Sequence, residues 1–99
     1  MKRFTILISQ RAAREIDAAN AWRAEHAAGL PGELGDELAT ALRLLERLAE
    51  MGPRWRASPT VRRVRLDRTG YHVYYKVDMR SKRITVVCFW HERRRPPRL

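Results

Sequence analysis

From Val61 to His91 the chain offers three strand-forming runs separated only by turn-length segments, and that spacing constrains the fold more than any other feature of the sequence. Val61-Arg-Arg-Val-Arg-Leu66 alternates apolar and charged residues after its first two arginines. Tyr71-His-Val-Tyr-Tyr-Lys-Val77 keeps an apolar or aromatic residue at every second position, and Ile84-Thr-Val-Val-Cys-Phe-Trp-His91 is apolar almost throughout. β-Branched and aromatic residues suit a pleated, half-buried surface. Arg68-Thr-Gly70 and Met79-Arg-Ser-Lys82 are short enough to serve as hairpin connections, so the three runs predict an antiparallel meander. The two-residue repeat puts Val64 and Leu66 on one face and Arg63 and Arg65 on the other. Likewise it sets Tyr71, Val73, Tyr75 and Val77 against His72, Tyr74, Lys76 and Asp78. The third run, apolar on both faces, suits a central strand covered on both sides.

The first half of the chain reads differently. Phe4 to Ile8 is a short extended run, and Ser9 is placed to cap a helix with its hydroxyl. The Ala-rich stretch from Gln10 to about Ala28 predicts that helix, with Ala12, Ile16 and Ala19 on one stripe and Trp22 near it, and Gly29-Leu-Pro-Gly32 breaks it. A second helix is expected from about Glu33 to Met51, where Leu34, Leu38, Ala41, Leu45 and Leu48 mark one buried face broadened by Leu42, Leu44 and Ala49. Arg43 and Arg47 lie with Glu46 and Glu50 on the opposite, solvated side. Gly52-Pro53 ends the helix, and Arg54 to Thr60 reads as a basic connection holding Trp55. The expected architecture is α+β, with an N-terminal strand, an antiparallel helical hairpin and a three-stranded antiparallel meander in one sheet. Its far face is expected to be basic and aromatic. Ninety-nine residues support one modest core, so residues 1–99 are expected to form one domain.

Charge enters the argument through its distribution. Residues 61–99 carry 12 basic and 3 acidic side chains, net +9, whereas residues 1–60 carry 9 and 8, net +1. A localised positive field of this kind attracts nucleic acid, an anionic membrane surface or an acidic protein. The membrane is the least favoured, because the charge sits on strands and a Pro-broken segment and no basic amphipathic helix is present. The apolar runs fall well short of the roughly 20 residues that span a bilayer, and no signal-peptide pattern opens the chain, so a soluble, cytoplasmic protein is expected. Cys88, the single cysteine, stands in an apolar run and reads as a small buried hydrophobe. His26 and His72 read as surface residues. No His, Cys, Asp or Glu set has metal-ligand spacing and no glycine-rich phosphate loop occurs, so neither a metal nor another cofactor is expected.

The strand, paired helices and three following strands, with Trp22 near the end of the first helix, carry a resemblance. So do the runs Arg62-Arg-Val-Arg-Leu-Asp-Arg-Thr-Gly-Tyr-His-Val-Tyr-Tyr-Lys-Val77 and Val86-Val-Cys-Phe-Trp-His-Glu-Arg-Arg-Arg95. Over nearly its whole length the chain resembles the RelE/ParE superfamily, the toxins of bacterial type II toxin–antitoxin systems. The resemblance implies a growth-inhibiting toxin neutralised by a cognate acidic antitoxin, whose disordered segment folds as it wraps the toxin, with the possibility of a higher-order complex. It places antitoxin contacts on the helical hairpin and basic sheet, at Trp22, Leu30, Arg43, Arg47, Arg62 and Lys76. Target contacts are expected at Arg63, Arg65, Tyr74, His91, Arg93, Arg94 and Arg95.

The superfamily divides by mechanism, into RelE-like ribosome-dependent mRNA endonucleases and ParE-like inhibitors of DNA gyrase that cut nothing. A ribonuclease activates a ribose hydroxyl, protonates the leaving oxygen and stabilises the phosphorane with cations. In the nuclease alternative Arg63 and Arg65 supply charge, His91 acts as acid or base, and Tyr74 or Tyr75 stacks on a base. Nucleases of the family commonly carry lysine-rich or glutamate-containing base sites and often a tyrosine near the end. Here the lysines are Lys2, Lys76 and Lys82, Val61–Leu66 holds no carboxylate, and no tyrosine follows Tyr75. The ParE-like reading, plasmid stabilisation and gyrase inhibition among its implications, is preferred, with no catalytic residue assigned. A third reading is a plain basic nucleic-acid-binding module in which the arginine face and the aromatics contact phosphates and bases.

Overall fold

The computed structural model describes residues 3–99. The elements run β1 Thr5–Ile8, α1 Gln10–Glu25, α2 Glu33–Arg47, β2 Arg54–Trp55, β3 Ser58–Arg65, β4 Tyr71–Asp78 and β5 Arg83–His91. One five-stranded sheet holds them in the order β1-β5-β4-β3-β2. β3, β4 and β5 form the expected antiparallel meander, and β1 joins it parallel to β5, pairing Thr5 with Arg83 and Ile8 with Val86.

Ser9 caps α1 as its hydroxyl predicts, accepting from the Ala12 amide at 3.0 Å. The helix stops at Glu25, short of Ala28, because Ala27 and Gly29 turn to positive φ. α2 is also shorter than its leucine pattern. It ends at Arg47, and Leu48 leaves helical geometry with φ −122° and ψ 62°. That turn swings Leu48 out of the expected stripe to 55% exposure and puts Ala49 into the core in its place. Leu44 is likewise exposed, so the buried face is Leu34, Leu38 and Leu45, with Ala41 and Leu42 partly covered.

The expected basic connection after α2 contains β2, whose Arg54 pairs with Arg62 and Trp55 with Ser58. Two residues beside a proline carry no alternation, so the sequence pattern has nothing to read there.

The helices cover one face of the sheet. Ala12, Ala19, Leu34 and Leu38 meet Leu66, Tyr71, Val73, Val86 and Phe89, while Leu45 and Ala49 meet Phe4, Tyr75 and Ile84. Each such fully buried large side chain contributes about 1.5–3 kcal/mol relative to exposure. The far face carries Arg63, Arg65 and Lys76, as expected of a basic and aromatic surface, and an apolar cluster beside them. Val61, Tyr74 and Cys88 form a small apolar cluster there, flanked by Trp55, Val87 and Trp90.

A bulge explains part of that cluster. Tyr74 pairs with Cys88 and Tyr75 with Val86, which leaves Val87 as an extra residue on β5.

Candidate interaction site at the end of the sheet

The register builds a column of residues at one end of the sheet. Arg65 pairs with His72 and His72 with Trp90, so these three share the face away from the helices. Tyr71 pairs with His91, and Tyr71 packs in the helix-side core, so His91 faces α1. Its ring meets the Tyr71 ring edge-on with centroids 4.8 Å apart, and Tyr71 stacks on Phe89 at 4.8 Å. His91 Nδ1 accepts from the Arg93 amide at 3.2 Å, which puts the proton of the neutral ring on Nε2.

Glu92, one residue on, returns to the other face. Its carboxylate takes both prongs of the Arg65 guanidinium, Nε to Oε1 and Nη2 to Oε2, each at 3.0 Å, and Arg65 Nη1 reaches Asp67 at 3.0 Å. The Glu92 hydrogen bond and charge raise the Arg65 pKa, and Arg65 in turn lowers that of Glu92. His72, partly buried and beside Arg63, titrates below its ordinary 6.5.

The turn between β3 and β4 makes room for this end of the sheet. Gly70 has φ +78°, and a β-carbon there would stand 2.6 Å from Glu92 Oε2 and 3.1 Å from His91 Nε2. Glu37 of α2 holds the same turn, accepting from the amides of Arg68 at 2.7 Å and Thr69 at 3.1 Å and from the Thr69 hydroxyl at 2.7 Å. Burial opposes the Glu37 charge, yet these hydrogen bonds outweigh it and bring the pKa below 4.5.

The segment after Glu92 folds back along β5. Trp90 Nε1 donates to the Arg95 carbonyl at 2.7 Å, and the Arg94 guanidinium lies 3.5 Å from the Trp90 ring centroid. Arg11 of α1 reaches the Arg98 carbonyl at 2.6 Å and stands 5.8 Å from the same indole. Glu15, also on α1, accepts from the Phe89 amide at 2.9 Å. Between α1 and this end of β5 runs a groove of about 580 Å³. Ala18, Ala19, Trp22, Tyr71 and Phe89 make its apolar lining, and His91, Arg93 and Arg94 form a basic rim.

The residues singled out from sequence fall on separate surfaces. Arg63, Arg65 and Lys76 lie on the face away from the helices, His91, Arg93 and Arg94 line the helix-side groove, and Arg95 is drawn to Trp90 through its carbonyl. Tyr74 cannot stack on a base as expected, because it is 2% exposed, packed against Val61 and Cys88 with Trp55 edge-on at 5.0 Å. Tyr75 is fully buried as well, its hydroxyl accepting from the Gly52 amide at 3.0 Å. Arg62 turns inward under the end of α2, donating to the carbonyls of Glu50 at 3.1 Å and Gly52 at 2.8 Å. Trp22 and Leu30 are 52% and 72% exposed near the tip of the helical hairpin, and Arg43 and Arg47 project from the outer face of α2. Sequence reasoning passed over Glu15, Glu37 and Glu92. Only the last had a readable signal, a carboxylate directly after the His91 that closes the strand beside the arginines.

The sequence pattern of the ParE toxins of type II toxin–antitoxin systems, parDE, matches residues 6–96. The chain belongs to the ParE toxin family. No curated protein matches the sequence directly. Among solved structures, this ParE-family toxin is similar to a chromosomal ParDE toxin–antitoxin system from P. aeruginosa, with a TM-score of 0.71 at 18% identity over 90% of this chain and 96% of that one. It is also similar to the RelBE2 toxin–antitoxin complex of Mycobacterium tuberculosis, with a TM-score of 0.67, 19% identity, and 93% and 94% of the two chains covered. The isolated E. coli RelE toxin gives a TM-score of 0.63 at 15% identity over 93% of this chain and 87% of that one. The α+β fold of the ParE-family chain is thus the RelE/ParE fold. Among the described residues no helix is long and apolar enough to cross a membrane, and no three His, Cys, Asp or Glu side chains stand close enough to share a metal ion.

Proposed function

We propose that this ParE-family toxin arrests growth by inhibiting DNA gyrase without cutting RNA, and that an acidic antitoxin holds it inactive in a bacterial cytoplasm. One observation carries the reading. The groups that ribonuclease chemistry would use together stand on opposite faces of the sheet, Arg63 and Arg65 on the face away from the helices and His91 on the helix side. A nuclease needs its acid, its base and its phosphate-stabilising cations within reach of one phosphate. The arginine side is further depleted, since Arg65 is held by Glu92 and Asp67 and the adjacent Tyr74 is buried. His91 Nδ1 is already taken up by the Arg93 amide at 3.2 Å.

The antitoxin reading draws support from the cationic half of the chain, net +9 over residues 61–99, which an acidic segment complements. Its test runs primer extension on total RNA beside a gyrase supercoiling assay, using the unmodified chain and His91→Ala. Intact transcripts, inhibited supercoiling and undiminished toxicity of His91→Ala are the expected results. Transcript cleavage that His91→Ala abolishes in a folded protein would replace this reading with the RelE-like one.

A further inference from the structure

We propose that the outer face of α2 is a self-association surface on which a second copy of this chain docks antiparallel. Leu44 of each copy enters the other's groove between α2 and β3, while Asp36 of each meets Arg47 of the other. The assignment stands apart from the growth-arrest reading above.

The apolar part of the surface lies where α2 gives way to the following turn. Leu44, Leu48 and Met51 are 46%, 55% and 41% exposed. The Leu48 amide meets the Leu44 carbonyl at 2.8 Å and the Met51 amide meets the Leu48 carbonyl at 3.0 Å, so the three follow one another on successive turns. Apolar side chains exposed singly need no explanation, but a group of them beside a groove does. That groove, of about 410 Å³, takes its apolar lining from Ala41, Leu44, Met51, Val64 and Leu66.

Charge names the occupant. Asp36, Thr40, Leu44 and Arg47 recur at i, i+4, i+8 and i+11 and so form one stripe along α2, acidic near its start and basic at its end. Neither Asp36 nor Arg47 has an ion-pair partner among the described residues. A stripe of this kind is complementary to itself. The two-fold axis that sets Asp36 against Arg47 of an antiparallel copy also sets Leu44 opposite Thr40, which lines the groove, and it makes each contact twice. The Thr40 hydroxyl already donates to the Asp36 carbonyl at 3.0 Å, so covering it strands no donor. A polyanion fits the same place less well, because Asp36, Glu37 and Asp67 line it and repel carboxylate and phosphate alike.

The test is sedimentation equilibrium of the full chain over a wide range of concentration. The mass is expected to climb from that of the monomer towards twice that value. Leu44→Glu is expected to raise the dissociation constant about tenfold or more. Leu7→Glu is the control, since Leu7 is 45% exposed and lies across the sheet from the helices. It is expected to change the constant by no more than about twofold. The decisive pair is Asp36→Arg and Arg47→Asp, both at exposed positions. Each variant alone faces like charges in both halves of the interface and is expected to stay monomeric, whereas an equimolar mixture of the two restores opposite charges in both halves and is expected to dimerise.

A monomer mass at every concentration would overturn the assignment. So would a dimer that Leu44→Glu leaves intact, because its interface must then lie elsewhere. If Leu44→Glu fails to fold, the mixture decides, and two charge variants that remain monomeric together refute the antiparallel pairing.

Discussion

Glu92 and Arg65 meet through a two-pronged ion pair, both contacts at 3.0 Å, which joins the residue after β5 to the last residue of β3. The strongest-looking arginine of the basic face is therefore masked within the molecule. Glu92→Gln should free it, raising the salt concentration at which the protein leaves a heparin column above that of the charge-matched control Asp17→Asn. Because the pair is exposed, stability should change little. Equal elution of the two variants would show that Arg65 is not masked.

Tyr75→Phe removes one oxygen from the interior. The Gly52 amide, buried with it, loses the acceptor it now has at 3.0 Å. An unsatisfied buried donor costs about 1–3 kcal/mol, and chemical denaturation should register a loss of that size with an unchanged slope.

Gly70→Ala tests the close approach at the sheet end. The positive φ and the 2.6 Å encounter with Glu92 act together, so roughly 1–3 kcal/mol of destabilisation is expected. The Arg65 and His91 side-chain resonances should move as well, whereas strain confined to the turn would leave them in place.

Acid should act through Glu37. Its pKa is depressed in the fold relative to the ordinary 4.5, so the stability it adds is fully present above pH 4.5 and disappears as pH falls through the lower folded value. Glu37→Gln should be less stable than the parent at neutral pH and lose less between pH 4.5 and the acid transition. Parallel stability–pH curves for the two proteins would count against the clamp.

Burial, with the Glu15 carboxylate adding to it, pushes the Cys88 thiol up to about 12. Iodoacetamide at mildly alkaline pH should leave the folded protein unmodified and alkylate it promptly in denaturant.

The meander was legible because its alternation and turns are local, and Val64, Leu66, Tyr71, Val73 and Tyr75 sit inward as the two-residue repeat requires. The N-terminal strand and both helices follow from equally local signals, a cap at Ser9 and a leucine stripe in α2. What escaped depends on partners distant in sequence. β2 exists because β3 offers it an edge, and Tyr74 is buried where a bulge brings Cys88 opposite it. The site was less legible still. Charge and residue type pointed at Arg65 and His91, but only the strand register puts them on opposite faces, and only the fold brings Glu92 across 27 positions to Arg65.

The parallel pairing of β1 with β5 also bears on how the protein is made. β5 lies between β1 and β4, and Thr5 finds its neighbour only when Arg83 arrives. During synthesis the first strand therefore waits without its neighbour until the last of the five strands has been made. A product that stops short of Arg83 lacks the strand that joins β1 to β4, so the sheet closes only once β5 has been made.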